Sequence, residues 1–184
     1  MARGQEIYQL CSQCHGPLGQ GNESLQAPAI AGQHAWYVAA QLQKFKQGIR
    51  GKHPDDAAGL RMRPMALALK SDADIAAVAD YVASLPVTPP SRTLPSGSAE
   101  KGKALYTACA TCHGPDGAGN AEMKAPALVR TNDWYLLSQL HKFKGRVRGA
   151  SPEDAEAALM LPWAMSLTDE QAMKDVLAYV GTLR

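Results

Sequence analysis

The 184-residue chain has no apolar run near the roughly 20 residues needed to cross a bilayer, so no segment reads as a membrane-spanning helix. It carries little net charge. Nineteen Lys and Arg face 17 Asp and Glu, a formal +2, which points away from nucleic acid or an anionic membrane as the main partner. No segment sustains the period-two alternation of a half-buried strand. The opening Met1-Ala2-Arg3-Gly4-Gln5-Glu6 lacks the apolar core of an export signal. Cysteine is scarce as well: there are four, all confined to two pentapeptides.

Those pentapeptides are Cys11-Ser12-Gln13-Cys14-His15 and Cys109-Ala110-Thr111-Cys112-His113. Cys-x-x-Cys-His is the attachment signature of c-type haem, in which both thiols bond the porphyrin and the histidine reaches the iron. Four thiolates could instead hold a structural zinc, and a lone Cys-x-x-Cys could be a redox disulfide. Zinc has no need of a histidine after each second cysteine, and no strand pattern precedes either motif. The expected cofactors are therefore two covalently bound haem c groups on Cys11, Cys14, Cys109 and Cys112, with His15 and His113 as iron ligands. Haem c is attached outside the cytoplasm. A periplasmic location is expected, with the export leader absent from this mature or recombinant sequence.

Shifting the chain by 98 positions aligns its halves without a gap, and 33 of 86 pairs are identical. Gly16-Pro17-x-Gly19-x-Gly21-Asn22 falls on Gly114-Pro115-x-Gly117-x-Gly119-Asn120, and Trp36-Tyr37 falls on Trp134-Tyr135. This reads as a tandem duplication: a domain over 1–86, a Pro-rich linker over 87–98, and a second domain over 99–184. Three prolines, with Pro86 just before them, and no hydrophobic periodicity make the linker an extended, semi-rigid connector. Each domain is small enough that a buried porphyrin would supply much of its apolar core.

Helical periodicity recurs in both halves. Residues 3–12 and 101–110 precede the motifs, 35–47 and 133–144 carry apolar side chains three and four apart, and 71–85 and 168–183 begin with acid-rich caps. Thr168-Asp169-Glu170-Gln171 matches a capping box. The expected fold is all-α, twice over.

The repeat also selects among seven methionines. Only Met62 and Met160 coincide under the shift, in Met62-Arg63-Pro64-Met65-Ala66 and Met160-Leu161-Pro162-Trp163-Ala164. Methionine opposite histidine suits an electron carrier because it raises the potential. Met62 and Met160 are thus the candidate sixth ligands, while Met65, Met123, Met165 and Met173 read as core fillers. His34, His53 and His141 have no counterparts and read as surface residues. The basic clusters after each middle helix, Lys44, Lys46, Arg50, Lys52 and Lys142, Lys144, Arg146, Arg148, are open to two readings. One is favourable charge at a helix C-terminus, the other partner docking.

The order helix, Cys-x-x-Cys-His-Gly, helix, Met-x-Pro-x-Ala, capped helix resembles class I cytochrome c, and the tandem arrangement resembles the two-haem cytochrome c4 family. The resemblance implies two class I cytochrome c-like domains related by pseudo-twofold symmetry, each with a His/Met haem. It also implies that the carbonyls of Pro28 and Pro126 accept a hydrogen bond from the proximal imidazoles. Arg130 stands where the first module has Gly32, so that turn must differ.

The function expected from this is an electron carrier rather than an enzyme. Its partners would be redox proteins, a dehydrogenase or bc1-type donor and a terminal oxidase acceptor. No nucleic acid partner is expected, peripheral association with a membrane is compatible, and a monomer is favoured. The alternative is a haem subunit or dedicated acceptor of a sulfide- or thiosulfate-oxidising dehydrogenase. A two-haem peroxidase would need an open iron site, against which the paired Met62 and Met160 argue.

Overall fold

The computed structural model describes residues 1–183; Arg184, the last residue of the second half, lies outside them. Nine α-helices and no strand occur among the described residues. Two isolated antiparallel bridges, Asn22 with Ala27 and Asn120 with Ala125, occupy equivalent places in the two halves. The chain divides into two compact units, with the boundary between Thr88 and Pro89.

In the first unit the helices are α1 (Ala2–His15), α2 (Ala35–Gln47), α3 (Ala57–Leu67) and α4 (Asp72–Ser84). Helix α1 packs on α4, and α2 packs on both α3 and α4. Gly4 makes the first contact feasible, since a Cβ there would collide with the Ala77 carbonyl of α4. Ile75, Val78 and Val82 form an inward stripe on α4 and are almost fully buried. Each contributes about 1.5–3 kcal/mol relative to exposure. Ser71 caps α4 by accepting from Asp74 N at 3.1 Å.

The second unit has α5 (Ala99–His113), α6 (Asp133–Lys144), α7 (Ala155–Ala158), α8 (Met160–Ser166) and α9 (Glu170–Val180). Helix α5 packs on α9, with Gly102 lying against the Asp175 carbonyl as Gly4 lies against Ala77. Helices α7 and α8 together replace α3. Leu159 between them keeps right-handed helical angles, φ −60° and ψ −24°. The Met-x-Pro segment thus lies in a helix in both units, an element the periodicity did not mark. The reason is chemical: Pro64 sits inside α3, where it donates no hydrogen bond.

One local expectation needs correction. The helix after 168 is capped by Asp169, whose carboxylate accepts from Ala172 N at 2.8 Å, so the Thr168 box is not formed. The segment 93–98 is fastened by hydrogen bonds to the helices of the second unit. Thr93 N and Leu94 N donate to Asp133, Gln171 Nε2 donates to the Ser96 carbonyl, and Ser98 N donates to Asp175.

Candidate haem sites

In both units the Cys-x-x-Cys-His motif forms the last turn of the first helix, so its two sulfurs lie three residues apart on one helical face. The helix ends at once. Gly16 and Gly114 adopt φ 80° and 81°, a region open to glycine, and turn the chain away after the histidine. Cys11 is half-buried against the core of the first unit and Cys109 against that of the second. Cys14 is exposed and Cys112 half-buried. Burial pushes the Cys11 thiol up to about 11 and raises that of Cys109.

His15 is 8% exposed and His113 6%. His15 Nδ1 lies 2.8 Å from the Pro28 carbonyl, and His113 Nδ1 lies 2.8 Å from that of Pro126. A carbonyl only accepts, so Nδ1 must carry the proton and Nε2 keeps its lone pair. Burial lowers both imidazole pKa values, and the carbonyl contact opposes it less strongly. The result is a neutral ring in fixed orientation with Nε2 available, which is what a metal-ligating histidine requires.

A contact that the sequence reading missed braces this turn. Tyr8 Oη donates to the Gly16 carbonyl at 2.7 Å, and Tyr106 Oη donates to Gly114 at 2.7 Å. Each ring also packs on a second tyrosine, Tyr81 or Tyr179. Burial pushes both Tyr8 and Tyr106 up to about 12, so they stay protonated donors. Their identity under the 98-residue shift was the available signal.

Met62 is half-buried against the same core cluster as Cys11. Met160 packs on the cluster of Phe143, Ala157 and Ala164, which Leu140 joins to the main core of the second unit. The other methionines divide differently from expectation. Met173 is core, 1% exposed, but Met65, Met123 and Met165 are exposed, so they do not fill the core. Their places on a helix turning outward or on a loop explain this. His53 and His141 are exposed. His34 is half-buried and stacks on Trp36, with ring centroids 5.9 Å apart. Trp36 and Tyr37 meet edge to face, as do Trp134 and Tyr135.

The basic clusters point partly inward. Lys46 Nζ donates to the Leu69 carbonyl at 2.7 Å and Lys144 Nζ to Leu167 at 2.6 Å, satisfying carbonyls just past the Met-bearing helices. The Arg50 guanidinium stacks over Phe45 and donates to Gln41; Arg148 repeats this with Phe143 and Gln139. Four of the eight cations therefore hold the fold.

The residues present fit a haem. Each unit has two thiols on one helical face, a buried neutral imidazole with Nε2 unprotonated, and one half-buried thioether. In the first unit the Arg63 Nε is buried and makes no hydrogen bond to the described residues, a donor suited to a carboxylate such as a propionate.

A helix ending in Cys-x-x-Cys-His, its imidazole held by a proline carbonyl, and a Met-x-Pro helix define a c-type cytochrome domain. The cytochrome c family model matches residues 1–86 and again 99–184. Cytochrome c4 of Thiocapsa roseopersicina is 34% identical over 173 residues, covering 88% of this chain and 81% of its own. The structure of Pseudomonas stutzeri cytochrome c4 superposes with a TM-score of 0.77 at 27% identity, covering 98% of this chain and 97% of its own. Thiosulfate dehydrogenase from Marichromatium purpuratum gives a TM-score of 0.78 at 30% identity over 98% of this chain, which spans only 40% of that one. The chain belongs to the cytochrome c family, as a two-haem protein of the c4 type. It is an electron-transfer cytochrome with two covalently bound haem c groups, one per domain, and its partners are redox proteins.

Proposed function

We propose that this cytochrome is a periplasmic carrier, not itself an enzyme, that passes electrons from a dehydrogenase or bc1-type donor to a terminal oxidase. The domains are 1–86 and 99–184. Cys11, Cys14, Cys109 and Cys112 carry the thioether bonds, and each iron is closed by a His/Met pair, His15 with Met62 and His113 with Met160.

The observation that carries this reading is the repeated proximal geometry. In both units a buried histidine donates through Nδ1 to a proline carbonyl at 2.8 Å, in register with the one methionine pair the repeat shares. Bound haem supplies a one-electron iron couple. The chain does the rest. The proline carbonyl fixes the ring and makes Nε2 a better donor. The tyrosine hydroxyl holds the turn that follows. Met62 and Met160, each on a packed helix, would offer a thioether to the iron and help to exclude water. A filled shell leaves no position for substrate, which argues for transport over catalysis. Among the described residues no helix is long and apolar enough to cross a membrane.

Likeness to the thiosulfate dehydrogenase structure favours one second reading, a dedicated acceptor or subunit of such an enzyme. A spectroelectrochemical titration combined with turnover against candidate donors and oxidases separates the two. Two one-electron waves and rapid oxidation by a terminal oxidase are expected. Reduction only by a co-purifying dehydrogenase, with no oxidase turnover, would favour the second reading.

A further inference from the structure

The two distal helices are alike at Met, Pro and Ala but differ at the residue before the methionine. In the first unit Arg61 Nη2 donates to the Leu25 carbonyl at 3.2 Å and to Gln26 Oε1 at 2.8 Å. Leu25 and Gln26 belong to the loop closed by the Asn22–Ala27 bridge, which leads directly into Pro28. Arg61 therefore joins the helix bearing Met62 to the loop whose proline orients His15. It connects the supports of the two iron ligands across 35 residues of sequence. The counterparts in the second unit are Leu159 for Arg61 and Lys124 for Gln26. Leu159 is 66% exposed and has no donor, so the same link cannot form. The loops themselves match closely: Gln26 and Lys124 both have φ 53°. The difference therefore lies in the side chains of the clasp, Arg61 and Gln26 against Leu159 and Lys124, and not in the loop backbone.

We infer that Arg61 is a positioning residue, a clasp that holds Met62 against displacement by small exogenous ligands, and that Met160, lacking it, is the sixth ligand that yields first. The inference rests on Met62 and Met160 being the iron ligands. Opening the first site requires α3 to move from the loop and break the two hydrogen bonds of Arg61, which the Leu159 side chain cannot make in the second unit. At an exposed position such bonds are modest, so the effect is a shift in affinity and not an absolute block.

The test is an imidazole titration of the ferric holoprotein. It is followed by loss of the red-region methionine-to-iron charge-transfer band, with each haem assigned by its ligand-methionine NMR signal. Imidazole is expected to occupy the second haem first. Arg61→Leu should raise imidazole affinity at the first haem roughly three- to tenfold and leave the second unchanged. Arg61→Lys should recover part of the difference. The double substitution Leu159→Arg with Lys124→Gln should lower affinity at the second haem by a similar factor. Unchanged affinity at the first haem in Arg61→Leu, with its methionine signal intact, would overturn the clasp. If Met62→Ala keeps the first haem's methionine signal, the ligand assignment itself fails, a result distinct from failure of the clasp.

Discussion

At the scale of single residues, each iron site depends on contacts that reach the histidine from two sides. The Pro28 carbonyl takes the Nδ1 proton, and Tyr8 ties down the carbonyl of Gly16, the residue after His15. Tyr8→Phe would remove one of the two hydrogen bonds to that carbonyl, leaving the one from Gly19 N at 3.1 Å, while preserving ring packing. The expected cost is about 0.5–1.5 kcal/mol, read by denaturant unfolding of the holoprotein, with Tyr106→Phe giving a similar loss. No change in either variant would show that the hydroxyl contacts do not brace the turn. Residue identity was the most legible layer of the sequence. The cysteines, histidines and shared methionines stood out because haem attachment and a gapless repeat both act on single positions. Tyr8 was visible only as an apolar residue of α1, since the role of a hydroxyl depends on what its ring angle places beside it. The contacts of Lys46 and Arg50 were hidden for a related reason. A long cationic side chain can reach a carbonyl 23 residues away, as Lys46 reaches Leu69, or lie over a ring, and sequence spacing records neither.

At the scale of elements, helices with a regular apolar stripe were legible to within a few residues. The spans 35–47 and 133–144 coincide with α2 and α6. The distal helices were not, because proline interrupts the ladder and several of their apolar residues, Leu60, Met65 and Leu67 among them, face outward. The segment around 93–98 was also opaque. It has no periodicity, and its hydrogen-bond acceptors, Asp133 and Asp175, lie 40 and 77 residues ahead. Both acids are particular to the second half; Ala35 and Ala77 are their counterparts. This fastening has a pH signature. Ser98 N and, after it, Gln171 hold the Asp175 carboxyl below its ordinary value of 3.8. A depressed carboxylate contributes stability that is fully present above its unfolded pKa and is lost as pH falls through the lower folded value. Unfolding midpoints measured between pH 7 and 3 should therefore drop below about pH 4. Asp175→Asn should flatten that limb and lower stability at pH 7. An acid limb identical in the two proteins would remove Asp175 from the explanation.

At the scale of the whole molecule, the proposed function requires two modules built alike, each of which would close its own iron with its own pair of ligands. The duplication made this readable, because one copy filters the other. Methionines and histidines without a counterpart drop out, and what survives in both copies is the Cys-x-x-Cys-His motif, the proline and Met-x-Pro. What the repeat hides is where the copies differ, and Arg61 against Leu159 is such a place. The most direct measurement is the methionine-to-iron band of the oxidised protein in three single variants, calibrated by haem content. Met62→Ala and Met160→Ala should each remove about half of the band with both haems still attached, and Met65→Ala should leave it whole. Loss of intensity in Met65→Ala, or full intensity in either of the other two, would contradict the paired His/Met sites.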